Sequence, residues 1–203
     1  MKLIMKIITS LRVTNLHDRK EKRDSLDQNL LSILIDSNIH PFLIPSYYGQ
    51  NKNRKKLNEY LKKIKPDGLL LTGGEDIPKN KFRFSLEKFL FNFFTKNKMP
   101  VFGICRGMQV IGIINSVNLR RSKLKLRKKY SISKGNEKLT AKCYFRWELK
   151  DIPKNYVLTY SSKNRSIWGI KHKNLKCEGI MFHPERENSL KLKKYISKFF
   201  YHK

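Results

Sequence analysis

The residue best suited to chemistry in this chain is Cys105, which lies in the pentapeptide GICRG at positions 103–107. An apolar run precedes it and a run with helical periodicity follows, so the pattern predicts a sharp turn from a strand into a helix. The flanking glycines let neighbouring backbone approach the turn closely. The tip lies at a helix N-terminus, where the helix dipole favours thiolate over thiol. We therefore expect Cys105 to be a nucleophile rather than an inert buried cysteine.

A histidine and a glutamate near the C-terminal end could activate that thiol. His183 and Glu185 follow a predicted strand that ends in GIMF. Residues two apart in extended backbone point to the same side, which predicts contact between the Glu185 carboxylate and the His183 ring. Such contact would fix the imidazole tautomer and leave the other ring nitrogen to take the proton of Cys105. The sequence thus predicts a Cys–His–Glu triad.

Backbone donors for an oxyanion are predicted at Gly73, Gly74 and Arg106. The two glycines follow the apolar run GLLLT, and Arg106 follows the candidate nucleophile. In a parallel sheet the carboxyl ends of the strands share one edge, so these residues should lie near Cys105. A double glycine presents its N–H groups without obstruction by side chains, which suits stabilisation of a tetrahedral intermediate. The alternative is an ordinary turn.

The elements that must position these residues alternate between strand and helix. This alternation predicts an α/β fold, with a mostly parallel sheet covered by helices on both faces. The expected strands lie near residues 3–9, 41–44, 68–72, 100–104, 156–160, 166–170 and 178–182. The expected helices lie near residues 26–34, 57–64, 86–93, 108–117 and 189–200.

Length and cysteine content limit the class of protein. The chain has 203 residues, and residues 1–203 are expected to form one domain with a substantial core. Three cysteines without framework spacing favour a reducing cytoplasm over a secreted disulfide scaffold. The apolar runs fall short of the roughly 20 residues of a membrane helix. The N-terminal run KLIMKIIT lacks a small-residue cleavage site, so we interpret it as a strand.

The chain is strongly basic, with 45 Lys and Arg against 16 Asp and Glu and a formal net charge of +29. Such a charge attracts anions at long range. The excess peaks in an atypical basic segment, residues 118–150, which also contains several aromatic residues. Single-strand nucleic-acid binders use this combination. A lysine-rich solvated surface that arose by compositional drift is the favoured interpretation, so nucleic acid is not the expected partner.

Together, the motifs resemble those of class I glutamine amidotransferase-like hydrolases, and more closely the gamma-glutamyl-gamma-aminobutyrate hydrolase branch. The resemblance spans nearly the whole chain and rests on DGLLLTGGED at 67–76, GICRGMQ at 103–109 and HPE at 183–185. Within that branch, RDSLDQ at 23–28 and GIMFHPERE at 179–187 look like the gamma-glutamyl-CDP-amidate hydrolases of capsule phosphoramidate synthesis.

The resemblance implies a flavodoxin-like sheet and a small-molecule gamma-glutamyl conjugate as substrate. It implies hydrolysis of an amide or amidate bond through a thioester on Cys105, with release of glutamate. No metal and no organic cofactor are implied. His183 would act as general base and then as acid, with Glu185 as its orienter. Gly74 and Arg106 would offer oxyanion N–H groups.

The part of the chain implied to contact substrate departs from the family pattern. The resemblance implies that Gln109 helps to hold the glutamyl group. Where an Asn-Ser-Tyr-His-like motif is expected, the chain reads KCYFRW at 142–147, which keeps Tyr144 and Trp147 but has Phe145 in place of the histidine. Phe84 stands where an acidic residue would be usual. These departures concern substrate recognition more than the triad.

Two other functions remain open on the sequence. A glutaminase subunit that supplies ammonia to a synthetase partner would use the same thioester chemistry. A degenerate relative could instead have lost its substrate site and bind an anionic partner such as RNA through residues 118–150. Phosphate contacts would make that binding fall steeply with added salt.

Overall fold

The computed structural model describes residues 4–77, 80–187 and 190–201. The strands are β1 (Met5–Ser10), β2 (Arg12–Leu16), β3 (Glu21–Ser25), β4 (Ile39–Ile44), β5 (Gly68–Leu71), β6 (Val101–Ile104), β7 (Leu119–Arg121), β8 (Lys129–Lys134), β9 (Glu137–Lys142), β10 (Trp147–Leu149), β11 (Tyr156–Ser162), β12 (Ile167–His172) and β13 (Cys177–Ile180). The α-helices are α1 (Gln28–Asp36), α2 (Arg54–Ile64), α3 (Lys81–Lys96), α4 (Arg106–Ile114) and α5 (Leu190–Tyr201).

A nine-stranded sheet forms the centre of the fold, in the order β4-β1-β5-β6-β13-β12-β11-β8-β9. The first five strands run parallel, and the other four extend the sheet in antiparallel fashion. Leu71 pairs with Gly103, and Gly103 pairs with Gly179, so β5, β6 and β13 end almost level. The segments that follow these strands therefore leave the sheet at one edge. The predicted α/β fold with a mostly parallel sheet is confirmed.

Helices cover both faces of this sheet. In β6, the Phe102 ring lies 4.9 Å from that of Phe199 in α5, measured between centroids. A Cβ at the next residue, Gly103, would lie 2.8 Å from atoms of α4. Adjacent strand residues face opposite sides of a sheet, so α4 and α5 cover opposite faces. Every residue of β5 and β6 is accordingly buried, as the central strands of such a sheet must be.

Most predicted elements are present with small shifts at their ends. The helix after Cys105 begins at Arg106 and ends at Ile114, where the expected bounds were Met108 and Val117. Leu3 and Ser189, at the starts of the first predicted strand and the last predicted helix, lie outside the described residues. The hairpin of β2 and β3 was not predicted because its strands are largely polar and exposed, and so lack an apolar period.

The basic segment 118–150 is ordered into strands and contributes to the core. Its strands β8 and β9 join the main sheet, while β7 and β10 form a separate two-stranded sheet. Phe145 is buried and packs edge-on against Trp168 at 5.1 Å between ring centroids. The positive charge therefore lies on the outside of a packed substructure.

Gly107 permits the close approach of α4 to β5, because a Cβ there would lie 2.1 Å from the carbonyl oxygen of Leu71. We expect Gly107→Ala to lower the free energy of unfolding by about 2–3 kcal/mol, although alanine is intrinsically the better helix former. Urea unfolding would measure the change. Gly135→Ala is the control, because Gly135 has φ +56 and, within the described part of the chain, nothing beyond its chain neighbours lies within 4 Å of its Cβ position. Its strain should cost only about 1 kcal/mol, and equal losses in the two variants would contradict the packing argument.

Candidate active site

Cys105 occupies the tip of a tight turn between β6 and α4. Its backbone has φ 50 and ψ −102, a strained conformation for a residue other than glycine. Its N–H donates to the carbonyl oxygen of Ile180 at 2.6 Å, which ties the tip to the end of β13. The side chain is 6% exposed and lines a cavity of about 430 Å³. The turn thus presents the thiol at the N-terminus of α4.

His183 and Glu185 are in contact, with 2.6 Å between His183 Nδ1 and Glu185 Oε1. Both side chains are buried. The backbone that joins them is not the extended segment that the sequence suggested, because Pro184–Arg186 form a 3-10 turn. The 3-10 turn brings the Glu185 carboxylate back to the ring of His183, the residue just before the turn. Cys105 and His183 line the same cavity, and Cys105 is close enough to influence the pKa of His183.

The charges of His183 and Glu185 depend on their neighbours. Burial alone would lower the pKa of His183, since it penalises the imidazolium. The neighbouring Cys105 charge, a hydrogen bond to Cys105 and the contact with Glu185 outweigh burial and raise the pKa to about 9. Burial raises the pKa of Glu185, but the His183 contact reverses the shift and holds it below its usual value. His183 therefore carries a proton at neutral pH.

The double-glycine turn packs directly on the histidine. A Cβ at Gly73 would lie 2.7 Å from His183 Cε1, so only glycine fits there. Arg83 Nη2 donates to the carbonyl oxygens of Thr72 at 2.9 Å and Gly73 at 3.0 Å. In a trans peptide the N–H points away from the preceding carbonyl, so the N–H of Gly74 faces away from Arg83. Gly74 itself lines the cavity that contains Cys105.

A buried ionic network, which we call the arginine–glutamate chain, connects the double-glycine turn to the turn at Cys105 between β6 and α4. Arg83 Nη1 lies 2.7 Å from Glu75 Oε2, and Arg83 Nε lies 2.9 Å from Glu87 Oε1. The second oxygen of Glu87 accepts a hydrogen bond from Arg106 Nη1. Burial lowers the pKa of Arg106, and the adjacent charge of Glu87 counteracts that shift. Arg106, next to Cys105, is thereby joined to the turn that follows β5.

The sequence reasoning missed Arg83 and Glu87. Both lie on the buried stripe of α3, which recurs every three or four residues and also contains Leu86 and Leu90. A charged pair at i and i+4 on an apolar stripe was the available signal, since such charges are rarely buried unless paired. The buried acid of this helix is therefore Glu87, while Phe84 packs against the core.

The residues implied to bind substrate are divided between the cavity and its support. Tyr144 lines the cavity, and its ring meets that of His183 edge-on at 5.5 Å between centroids. Gln109 is buried, and its Nε2 donates to the backbone carbonyl of Trp147 at 2.7 Å. The Trp147 side chain is 37% exposed and is not part of the cavity lining. Gln109 thus anchors the segment that carries Tyr144.

Within residues 4–77, 80–187 and 190–201, no group of three or more His, Cys, Asp or Glu side chains is arranged to hold a metal ion. No helix in the same ranges is long and apolar enough to cross a membrane.

The sequence model of the family "Glutamine amidotransferase class-I" matches residues 21–203. The chain belongs to this family. Among curated relatives, a GMP synthase [glutamine-hydrolyzing] of Spiroplasma kunkelii is 30% identical over 157 residues, covering 70% of this chain and 29% of the relative. The gamma-glutamyl-CDP-amidate hydrolase of Campylobacter jejuni is 27% identical over 128 residues, covering 60% of this chain and 64% of the relative.

The class-I fold is also found in solved structures. The structure of a putative GMP synthase component from Thermoplasma acidophilum superposes with a TM-score of 0.74 at 20% sequence identity, covering 98% of this chain and 94% of that one. The chain spans less than a third of the length of the Spiroplasma and Brachyspira GMP synthases that it matches. Family members hydrolyse amides, and this chain shares their fold.

Glu87 compensates the charges of two buried arginines, so its removal should be costly. We expect Glu87→Gln to lower the free energy of unfolding by about 3–5 kcal/mol, because breaking a buried pair leaves uncompensated charge. Chemical denaturation would measure the loss. Glu21→Gln is the control, since Glu21 makes an exposed pair with Arg23 at 2.6 Å that is worth about 1 kcal/mol at most. A cost for Glu87→Gln as small as that of the control would contradict the role of the arginine–glutamate chain.

Proposed function

We propose that this protein is a cysteine hydrolase that cleaves the gamma-glutamyl amide or amidate bond of a small-molecule conjugate. The observation that carries the proposal is the placement of Cys105 and the Glu185-bonded His183 at one cavity, which Gly74 also lines. The raised pKa of His183 favours a thiolate–imidazolium pair, which is the reactive form of a cysteine nucleophile.

In the first half of the reaction, the thiolate of Cys105 attacks the gamma-carbonyl carbon. The carbonyl π electrons move to oxygen, where the N–H groups of Gly74 and Arg106 stabilise the charge. The N–H of Arg106 suits this role because the first N–H groups of a helix have no intrahelical acceptor. The oxyanion then collapses, the bond to nitrogen breaks and His183 gives its proton to the departing nitrogen. A glutamyl thioester remains on Cys105.

In the second half, water replaces the leaving group. Neutral His183 takes a proton from the water molecule while the water oxygen attacks the thioester carbonyl carbon. The second tetrahedral intermediate expels the thiolate and releases glutamate, which restores the starting ion pair. Glu185 keeps Nδ1 occupied throughout, so the other ring nitrogen serves both proton transfers. No step requires a metal or an organic cofactor.

For the finer substrate, we propose a conjugate of the gamma-glutamyl-CDP-amidate type, in capsule or other surface-polysaccharide modification. The name of the Campylobacter jejuni relative and the motifs shared with such hydrolases support this assignment. The net charge of +29 would attract a nucleotide-linked substrate. We expect the activity in the cytoplasm, since the three cysteines are free of disulfides, as a reducing compartment would keep them.

A second candidate function is that of a glutaminase that supplies ammonia to a synthetase. The GMP synthase relatives favour it, because their names state that they hydrolyse glutamine. The two candidates differ in their need for a partner. A glutaminase should turn over free glutamine and be stimulated by its synthetase, whereas the proposed hydrolase should release glutamate from gamma-glutamyl conjugates on its own.

Replacement of the nucleophile tests the thioester mechanism. We expect Cys105→Ala to lower kcat for glutamate release from gamma-glutamyl-p-nitroanilide by about 10⁴-fold or more. Cys177→Ala should retain activity, because Cys177 lies buried at the start of β13 and burial raises the pKa of its thiol to about 12. Alkylation by iodoacetamide should likewise depend on Cys105. Full turnover by Cys105→Ala would rule out the mechanism.

The pH dependence tests the proton on His183. Because the imidazolium donates to the departing nitrogen, kcat/KM should hold at neutral pH and fall as the pH rises through about 9. Glu185→Gln removes a charge that raises the pKa of His183, so the alkaline limb should move to lower pH and kcat/KM should fall by about 10²-fold, less than for Cys105→Ala.

Glu178→Gln is the matched control for that profile, because Glu178 is a buried carboxylate bonded to Tyr195 outside the cavity. The alkaline limb of the kcat/KM profile of Glu178→Gln should coincide with that of the unmodified protein. An unmoved limb in Glu185→Gln would show that Glu185 does not set the charge of His183.

A further inference from the structure

We propose that Arg127 and Arg146 form an anion-binding arm of the Cys105 cavity that selects a leaving group carrying a diphosphate. This inference rests on the proposed function and specifies the substrate class of the same site. Both arginines belong to the basic segment 118–150, and the family resemblance implied no role for either of them.

The cavity has an excess of positive charge over what a glutamyl group requires. Its lining includes four arginines and two carboxylates: Arg12, Arg127, Arg146, Arg186, Glu75 and Asp76. Glu75 is already paired with Arg83. A glutamyl group carries one α-carboxylate and one α-ammonium group, so it can satisfy only a small part of this charge. Ammonia, the leaving group from glutamine, carries no negative charge at all.

Arg127 and Arg146 are the arginines of the basic segment at this cavity, and they are uncommitted. Arg186 lies 3.9 Å from Asp27 and 3.8 Å from Glu185, and it covers the ring of Tyr144 at 5.0 Å. Within the described part of the chain, neither Arg127 nor Arg146 has a carboxylate within salt-bridge distance. Their charges are therefore available to a ligand.

The choice of side chain argues against compositional drift. Arginine makes up only 12 of the 45 basic residues of the sequence, yet among the described residues every basic side chain in the cavity lining other than the histidine is an arginine. Lysine-rich drift would have put lysine there as often as elsewhere. The planar guanidinium group binds phosphate oxygens through two parallel hydrogen bonds, which the ammonium of lysine cannot do. The composition of the lining thus suits the recognition of phosphate oxygens.

The backbone fixes both arginines at the cavity. The N–H of Arg127 donates to the carbonyl oxygen of Cys143 at 2.7 Å, and the carbonyl oxygen of Arg146 accepts from the N–H of Ser122 at 2.9 Å. Side chains alternate along this stretch: Cys143 and Phe145 are buried in the core, whereas Tyr144 and Arg146 face the cavity. The same alternation that brings Tyr144 to His183 therefore brings Arg146 to the Cys105 cavity.

Ligand binding to the Cys105→Ala protein tests this arm without turnover. Isothermal titration calorimetry would compare inorganic pyrophosphate, CDP and glutamate. We expect pyrophosphate and CDP to bind, and Arg127→Gln and Arg146→Gln each to weaken both by about tenfold. Glutamate binding should change much less. If CDP binds more tightly than pyrophosphate, the site recognises the nucleoside as well as the diphosphate. If the two bind equally, the site recognises the diphosphate alone. Both results support the proposal.

The control is a double variant, Lys129→Gln with Lys138→Gln, compared with the double arginine variant. These exposed lysines lie on β8 and β9 of the same segment and do not line the cavity, so the change in net charge is matched. Equal weakening by the two double variants would reduce the effect to the general field of the protein and overturn the proposal. Unchanged affinity in the arginine variants, with thermal unfolding showing that they fold, would also overturn it.

Hydrolysis by the unmodified protein separates this inference from the function on which it rests. If neither gamma-glutamyl-p-nitroanilide nor a gamma-glutamyl-CDP-amidate conjugate is hydrolysed but the arginine variants lose pyrophosphate binding, the hydrolase proposal fails and Arg127 and Arg146 stand as an anion-binding site. If hydrolysis occurs and pyrophosphate does not bind, the anion arm alone fails.

Discussion

The candidate site depends on one buried interaction, the bridge that Glu87 makes between Arg83 and Arg106. Arg83 holds the peptide groups of the double-glycine turn, and Arg106 is the first residue of the helix after Cys105. Two segments that leave different strands are therefore tied through one carboxylate. Since unpaired charges are so costly inside a protein, this network permits little relative movement of the two predicted oxyanion donors.

Around this bridge, the parallel strands bring distant parts of the chain to one edge. The ends of β5, β6 and β13 supply the glycine turn, Cys105 and the segment leading to His183. Burial opposes a charged histidine at this edge, and the Cys105 and Glu185 charges more than offset that cost. The electrostatic balance, rather than exposure to solvent, holds the proton that the proposed mechanism needs. The cavity beyond it is lined by arginines from the basic segment.

Much of this arrangement was predictable from the sequence. Apolar periodicity predicted the parallel strands, and the spacing of glycines around Cys105 predicted the close-packed turn between β6 and α4. The i, i+4 pair of Arg83 and Glu87 was a signal that went unused, whereas their links to Glu75 and Arg106 form only after folding. The backbone between His183 and Glu185 was predicted as extended but forms a 3-10 turn. The sequence pattern does not distinguish the two, because either backbone can bring the carboxylate to the ring. Polar strands such as β2 and the pairing of the basic segment depend on tertiary contacts that no local period records.

The most direct test of the account is capture of the covalent intermediate. The protein would be mixed with gamma-glutamyl-p-nitroanilide, quenched in acid during turnover and analysed by mass spectrometry of the intact chain and its peptides. The account predicts an added mass of one glutamyl group on the peptide that contains Cys105, absent from the Cys105→Ala protein. Release of glutamate with no adduct at Cys105, or with the adduct on another residue, would contradict it.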